Sequence, residues 1–240
     1  MINIVIPMAG AGSRFAKAGY KNPKPFIDVL GKPMICHVLD NLNIPDAKFI
    51  LLTRFEHYNN EQETVKWIKS NYKVEFVMID KLTEGAACTV LHAHRLINND
   101  TPLLIANSDQ IVDMDISEYI NDSKKRGLDG SVLCFEDNDK KWSYAKLDKN
   151  RFITEIREKE VISKNATVGI YYFNKGRDFV ENAIDMIVRN ERVNNEFYVA
   201  PVYNYGIYTI GKTQMHGTGT PEDLDKYIET VKEQQGALVL

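Results

Sequence analysis

Four short apolar runs, Ile2–Ile6, Phe49–Leu52, Val74–Ile79 and Leu103–Ala106, alternate with longer amphipathic stretches in the first half of this chain. A strand buried on both faces needs such a run, and parallel neighbours need a helix-length crossover between them. The segments Met34–Leu42, Tyr58–Ser70 and Ala86–Leu96 supply helical periodicity between the strands. A parallel sheet with right-handed crossovers is therefore expected. The second half changes character. Ser131–Glu136, Tyr144–Leu147, Phe152–Ile156 and Ala166–Phe173 read as strands, with a hairpin turn at Asp148–Arg151. Helices are expected at Asp178–Arg189, around Phe197–Tyr205 and at Glu222–Lys232. No repeat or low-complexity linker marks a cut, so residues 1–240 read as a single α/β domain whose halves meet near residue 127.

Composition excludes several classes of function. A net charge of -3 gives no basic field for nucleic acid or an anionic membrane. No stretch approaches the ~20 apolar residues of a membrane span, and the first residues lack the basic and apolar regions of a signal peptide. A cytoplasmic protein is expected. Cys36, Cys88 and Cys134 are far apart and lack CxxC spacing, which fits buried thiols rather than a disulfide framework or a zinc site.

The chemistry concentrates after the first strand, in Pro7-Met-Ala-Gly10-Ala-Gly12-Ser-Arg14-Phe15. Glycines let successive N–H groups converge on phosphate oxygens, and an arginine adds a planar fork for the same oxygens. Asn22-Pro23-Lys24-Pro25 then holds a lysine between two prolines, which restrict the loop and reduce its ordering cost. A dinucleotide-binding turn would need a glycine at Phe15, and a Walker A loop would need GK[ST]. Neither is present.

These segments, with Gly31-Lys32-Pro33-Met34, resemble the opening of the sugar-phosphate nucleotidyltransferases, and in detail a capsule and cell-surface branch of them. The resemblance continues through Glu84-Gly85-Ala86-Ala87, Asn107-Ser108-Asp109, Glu158-Lys159, Gly169-Ile-Tyr-Tyr and Thr218-Gly-Thr-Pro-Glu-Asp223. It implies a GT-A-like, Rossmann-like mixed sheet flanked by helices, with a nucleotide half of about residues 1–127 and an acceptor half of about 128–240. It implies a nucleoside triphosphate and a small phosphorylated acceptor as partners, Mg²⁺ as cofactor, and a homodimer as a common state.

Role by role, the resemblance puts the triphosphate on Ala9, Gly10, Ala11, Gly12 and Ser13, and the base on Glu84, Gly85 and Ala86. Arg14 would meet the departing pyrophosphate and Lys24 the α-phosphate. Asp109 would hold the metal. Glu158, Lys159, Gly169, Glu196 and Tyr198 would surround the acceptor. No nucleophile–base pair is evident, and none is needed when the acceptor phosphate is already deprotonated. Relatives often carry a second aspartate where this chain has Gly217, which leaves the second metal ligand open, with Asp223 one alternative. Asn194 or Asn195 could equally cap an ordinary helix, and Asp109 could cap a turn. Asp113-Met-Asp115 offers the rival reading of a glycosyltransferase DxD motif, and a nucleotide sensor without catalysis is a third.

Overall fold

In the computed structural model, which describes residues 1–206 and 208–237, the apolar runs form one nine-stranded sheet. Its strands are β1 (Ile2–Pro7), β2 (Ala47–Arg54), β3 (Val74–Ile79), β4 (Leu103–Ala106), β5 (Gly130–Glu136), β6 (Ser143–Leu147), β7 (Ile153–Glu158), β8 (Asn165–Phe173) and β9 (Thr209–Lys212). The first half is parallel, with β1 between β2 and β4 and β3 outside β2. The expected parallel sheet is present, with β3 and β4 matching their predicted bounds.

Helices cover both faces. Val5, Ile50, Leu52 and Ile105 pack on one side against α5 (Ala86–Leu91), α6 (His94–Ile97) and α8 (Gly176–Val188). Ile4, Ile6, Leu51 and Leu104 pack on the other against α2 (Met34–Asn41), α4 (Gln62–Asn71) and α7 (Ile116–Lys125). This two-sided burial explains why the strands carry no polar face.

Several expectations are corrected. The segment read as one helix over Tyr58–Ser70 is two, α3 (Phe55–Asn60) and α4, with Glu61 outside helical geometry at φ -111° and ψ 35°. The Asn59-Asn60 pair there favours local side-chain bonding over helix continuation. Ala86–Leu96 also breaks. His92 and Ala93 bond three residues back, to Thr89 and Val90, and the tightened turn ends α5. The segment around Phe197–Tyr205 holds only a 3₁₀ stretch, Ala200–Tyr205. No helix begins at Asn194 or Asn195. Both have positive φ, 49° and 63°, in a tight turn where Val193 and Glu196 exchange backbone hydrogen bonds. Helix α7 was not expected at all.

The second half attaches through β8, which is antiparallel to β4, β5 and β6. Residues Tyr171–Phe173 pair with β5 on one edge and β4 on the other, while Ala166 pairs with β5 and β6. Strands β4 and β6 therefore share one edge of β8 and diverge where it is irregular, between Thr167 and Tyr171. That fork holds a pocket. A short ribbon, Met215–Gly217 on Gln110–Val112, brings the chain back beside β4, and α9 (Pro221–Ala237) follows.

Candidate active site

The glycine loop is pinned at both ends. Ala9 is buried in the core, so its methyl serves packing, and Phe15 is buried with Ile27, Val29, Met34 and Leu224. Between these anchors Gly12 takes a left-handed turn at φ 60° into α1 (Ser13–Lys17). Among the described residues, the amides of Gly10, Ala11, Gly12 and Ser13 have no internal partner. The loop borders a cleft of about 300 Å³ that Arg14, Lys24, Ser108 and Gly219 also line. Arg14 is exposed and has no ion pair among the described residues. Such a cleft, with unpaired donors and a free guanidinium, is suited to an anion with several oxygens.

Lys24 lies in a 3₁₀ turn, Lys24–Phe26, after Pro23, and its ammonium bonds the Asp109 carboxylate. Both side chains are less than one-fifth exposed, at 18% and 19%. The Asp109 carbonyl accepts the Thr218 N–H at 2.7 Å and its hydroxyl at 3.0 Å. A Cβ on Gly219 would stand 3.0 Å from Asp109 Oδ2, so the Thr218-Gly219 turn wraps closely around the carboxylate.

Asp109 already carries a cation, and the cleft at the glycine loop opens beside it. The donor set fits Mg²⁺ in one form only: a single carboxylate oxygen from the protein, with phosphate and water oxygens completing the shell. Among the described residues no three His, Cys, Asp or Glu side chains cluster as a standing metal site. The carboxylates of Asp113 and Asp115 are engaged elsewhere, and for Asp223 only the backbone is. Asp113 pairs with His216 at 2.9 Å, and Asp115 caps α7 by accepting from the Ser117 N–H at 2.8 Å. The Asp223 N–H donates to Thr220 at the start of α9. Gly217 faces Met215 and the Trp142 ring at van der Waals distance.

The pocket in the fork of the sheet, about 150 Å³, holds the second group of candidates. Gly169 sits on its floor at φ 78°, where a Cβ would stand 1.9 Å from Gln110 Oε1 and 2.3 Å from Asn107 Nδ2. Glycine is required there twice over. Glu158 accepts the Ser143 hydroxyl, and burial raises its pKa above the ordinary carboxylate value, against the lowering effects of Ser143 and Lys159. Lys159 donates to the Tyr198 hydroxyl at 2.8 Å and lies over that ring. Glu196 is exposed near both, and its charge contributes to the raised pKa values of Glu158 and Tyr198. Lys159 and Tyr198 are 39 residues apart, yet they meet.

The third group lies against the second. The Glu84 carboxylate pairs with Arg192 at 2.9 Å, and its carbonyl accepts the Phe197 N–H at 2.7 Å. That leaves the amides of Gly85 and Ala86 without internal partners among the described residues. Ala86 also lines the fork pocket. Sequence reasoning missed Ser143, Gln110, Trp142, Thr167 and Tyr171, which line that pocket from three separate segments. A larger hollow, about 710 Å³, lies elsewhere, between the Tyr20–Pro33 segment and α4, and is lined by none of the candidates.

A loop of unpaired amides with an arginine, a lysine–aspartate pair, and a neighbouring pocket with a glutamate–lysine pair now stand together around the ends of β1 and β4. The nucleotidyl transferase family model matches residues 4–199. The chain belongs to the nucleotidyl transferase family. Among similar proteins, the bifunctional protein GlmU of Methanococcus vannielii is 28% identical over 199 residues, covering 80% of this chain and 44% of that protein. This chain thus spans less than half the length of that relative. Mannose-1-phosphate guanylyltransferase catalytic subunit beta of Drosophila pseudoobscura pseudoobscura is 21% identical over 96% of this chain and 64% of its own length. A nucleoside-diphosphate-sugar pyrophosphorylase from Vibrio cholerae RC9 superposes with a TM-score of 0.77 at 25% identity, covering 94% of this chain and 99% of that one. A UDP-glucose pyrophosphorylase with UDP-glucose superposes at 0.79 with 18% identity, over 98% and 100%, and supports the fold alone. No helix among the described residues is long and apolar enough to cross a membrane.

Proposed function

We propose that this chain transfers a nucleoside monophosphate from a nucleoside triphosphate to a small phosphorylated acceptor and releases pyrophosphate. The observation that carries this reading is the adjacency of two pockets. One is built of backbone amides with Arg14 and Lys24, and the other of side chains around Glu158 and Tyr198, to which Lys159 is bonded. An acceptor phosphate oxygen attacks the α-phosphorus, a new P–O bond forms, and the bond to the β-phosphate oxygen breaks with its electrons leaving on pyrophosphate. Both reactants are anionic, so neutralisation and in-line placement are the main tasks. The loop amides hold the terminal phosphates, Arg14 receives the growing charge on pyrophosphate, and Lys24 that around the α-phosphorus. Mg²⁺ on Asp109 supplies Lewis-acid charge when the triphosphate brings it. Lys159 meets the acceptor phosphate and Glu158 a polar group on its body.

The finer reading is CMP transfer from CTP to phosphoglutamine, in capsule phosphoramidate synthesis. It rests on the overall likeness of the sequence to a capsule and cell-surface branch of the family. A second reading, uridylyl or thymidylyl transfer to a sugar 1-phosphate, draws on the likeness to a nucleoside-diphosphate-sugar pyrophosphorylase. The engaged Asp113 and Asp115 speak against the glycosyltransferase reading. Pyrophosphate release measured with each NTP, against phosphoglutamine and a set of sugar 1-phosphates, separates these readings. Release with CTP and phosphoglutamine supports the first; release with none of the pairs overturns nucleotidyl transfer for this chain.

A further inference from the structure

The segment around Gly85 and the segment carrying Glu196 and Tyr198 are far apart in sequence but locked together. The Phe197 N–H donates to the Glu84 carbonyl at 2.7 Å, and the Ala87 N–H donates to the Phe197 carbonyl at 3.0 Å. Between these bonds Gly85 sits at φ 119°, so close that a Cβ would stand 2.5 Å from the Phe197 backbone. Arg192 closes the outside. It pairs with the Glu84 carboxylate at 2.9 Å, and its guanidinium carbon lies 4.4 Å from the centre of the Phe197 ring. The tight turn Val193–Glu196 connects Arg192 directly to the segment it clamps.

We propose that Arg192 is a positioning residue that couples the base-side segment to the acceptor-side segment as one cooperative unit. This rests on the reading that Gly85–Ala86 faces the base and Tyr198 the acceptor. Arg192 itself lines neither pocket. It acts through Phe197, whose neighbour Tyr198 holds Lys159 by the 2.8 Å bond. A base settling on the Gly85 and Ala86 amides pulls on the backbone that presents Tyr198. Filling the first site therefore firms the wall of the second, and acceptor binding is favoured after the nucleotide.

The size of the effect follows from exposure. Glu84 is 64% exposed and Arg192 33%, so the ion pair alone is weak, and the stacked guanidinium adds a comparable amount. Loss of Arg192 should open the unit about three- to tenfold more often.

The experiment is amide hydrogen exchange on the full chain as wild type, Arg192→Ala and Arg192→Lys, without ligand. In Arg192→Ala, Ala87 and Phe197 should both exchange about three- to tenfold faster, with β1 and β4 unchanged. Arg192→Lys keeps the pair with Glu84 but loses the planar stack on Phe197, so it should restore only part of the protection. Unchanged rates at both amides, or faster exchange at Phe197 with Ala87 unchanged, overturns the coupling. A second arm adds Mg²⁺ with each of the four NTPs. Protection spreading from 84–88 to 193–198 in wild type, but stopping at 84–88 in Arg192→Ala, supports the proposal. Protection confined to 84–88 in wild type overturns it. No protection from any NTP counts against the nucleotide reading, and the ligand-free arm then decides the coupling.

Discussion

The two pockets are built on opposite plans. The cleft at the glycine loop is open and lined largely by backbone; among the described residues its one side-chain tie is the Lys24–Asp109 pair. The fork pocket is half the size and made of side chains already satisfied by one another: Asn107 with Gln110, Ser143 with Glu158, Thr167 with Tyr171. A cleft of unpaired donors gains its order from whatever anion arrives. A pocket of prepaired groups has spent that ordering entropy during folding, and it rejects ligands that cannot replace the bonds they break. The first pocket suits a triphosphate shared by many enzymes, and the second suits discrimination among acceptors.

The largest effect should come from the one tie in the open cleft. Lys24→Ala should lower kcat by roughly 10²–10³ with little change in nucleotide affinity, because charge near the α-phosphorus grows toward the transition state. Steady-state kinetics with the active substrate pair checks this; an unchanged kcat with a raised KM would remove Lys24 from its role. The same variant frees Asp109, so Mn²⁺ binding to the substrate-free protein, followed by electron paramagnetic resonance, should tighten.

Next in size is the floor of the fork. Gly169→Ala forces a methyl into Gln110 and Asn107 at a positive φ. Displacement on that scale should cost about 10² in acceptor-dependent turnover while nucleotide affinity holds. Equal loss of both affinities would mean that the pockets are not separately built.

A smaller effect concerns pH. The raised Glu158 pKa means that the folded chain holds this proton at pH values where the unfolded chain has released it. Stability from this group is therefore present below the ordinary carboxylate value and falls as pH rises through the raised one. Glu158→Gln removes that loss, so the Tm difference, variant minus wild type, should grow from pH 4 to pH 8. A constant difference would deny that burial dominates at Glu158. Smallest of all is Gly10→Ala. Gly10 has no atom within 4 Å of its would-be Cβ and no positive φ, so Tm should not move. Any rise in nucleotide KM would then report how closely phosphate approaches the loop.

The same contrast decides what could be read from the sequence. The phosphate loop is contiguous, and its chemistry lies in glycines and one arginine, which leave a local signature from Gly10 to Arg14. Strand β4 was legible because double-sided burial demands an unbroken apolar run. Strand β3 lies at the sheet edge, half-buried, and was legible from its β-branched and aromatic residues despite Glu75. The fork pocket is assembled from β4, β6, β7 and β8, so Ser143 and Gln110 acquire meaning only through strand order. Helix α7 was hidden by its own cap, because Asp115 invites a metal reading until its bond to Ser117 is seen. The break at Glu61 reflects a local competition that apolar periodicity does not register.

Strand β8 runs through both halves, paired on one edge along its length and on the other to β6 and then β4. A sheet stitched across both pockets has no crease along which the halves could swing together. Mechanically, this is a bench with two vices rather than a jaw. Under the proposed reaction, adjustment to a substrate would fall to loops and side chains, whose excursions belong to nanoseconds and microseconds rather than to slower domain hinges. Catalytic alignment then depends on side chains and loops meeting a stationary frame, and an overall change of shape on substrate binding should be too small for solution scattering to detect.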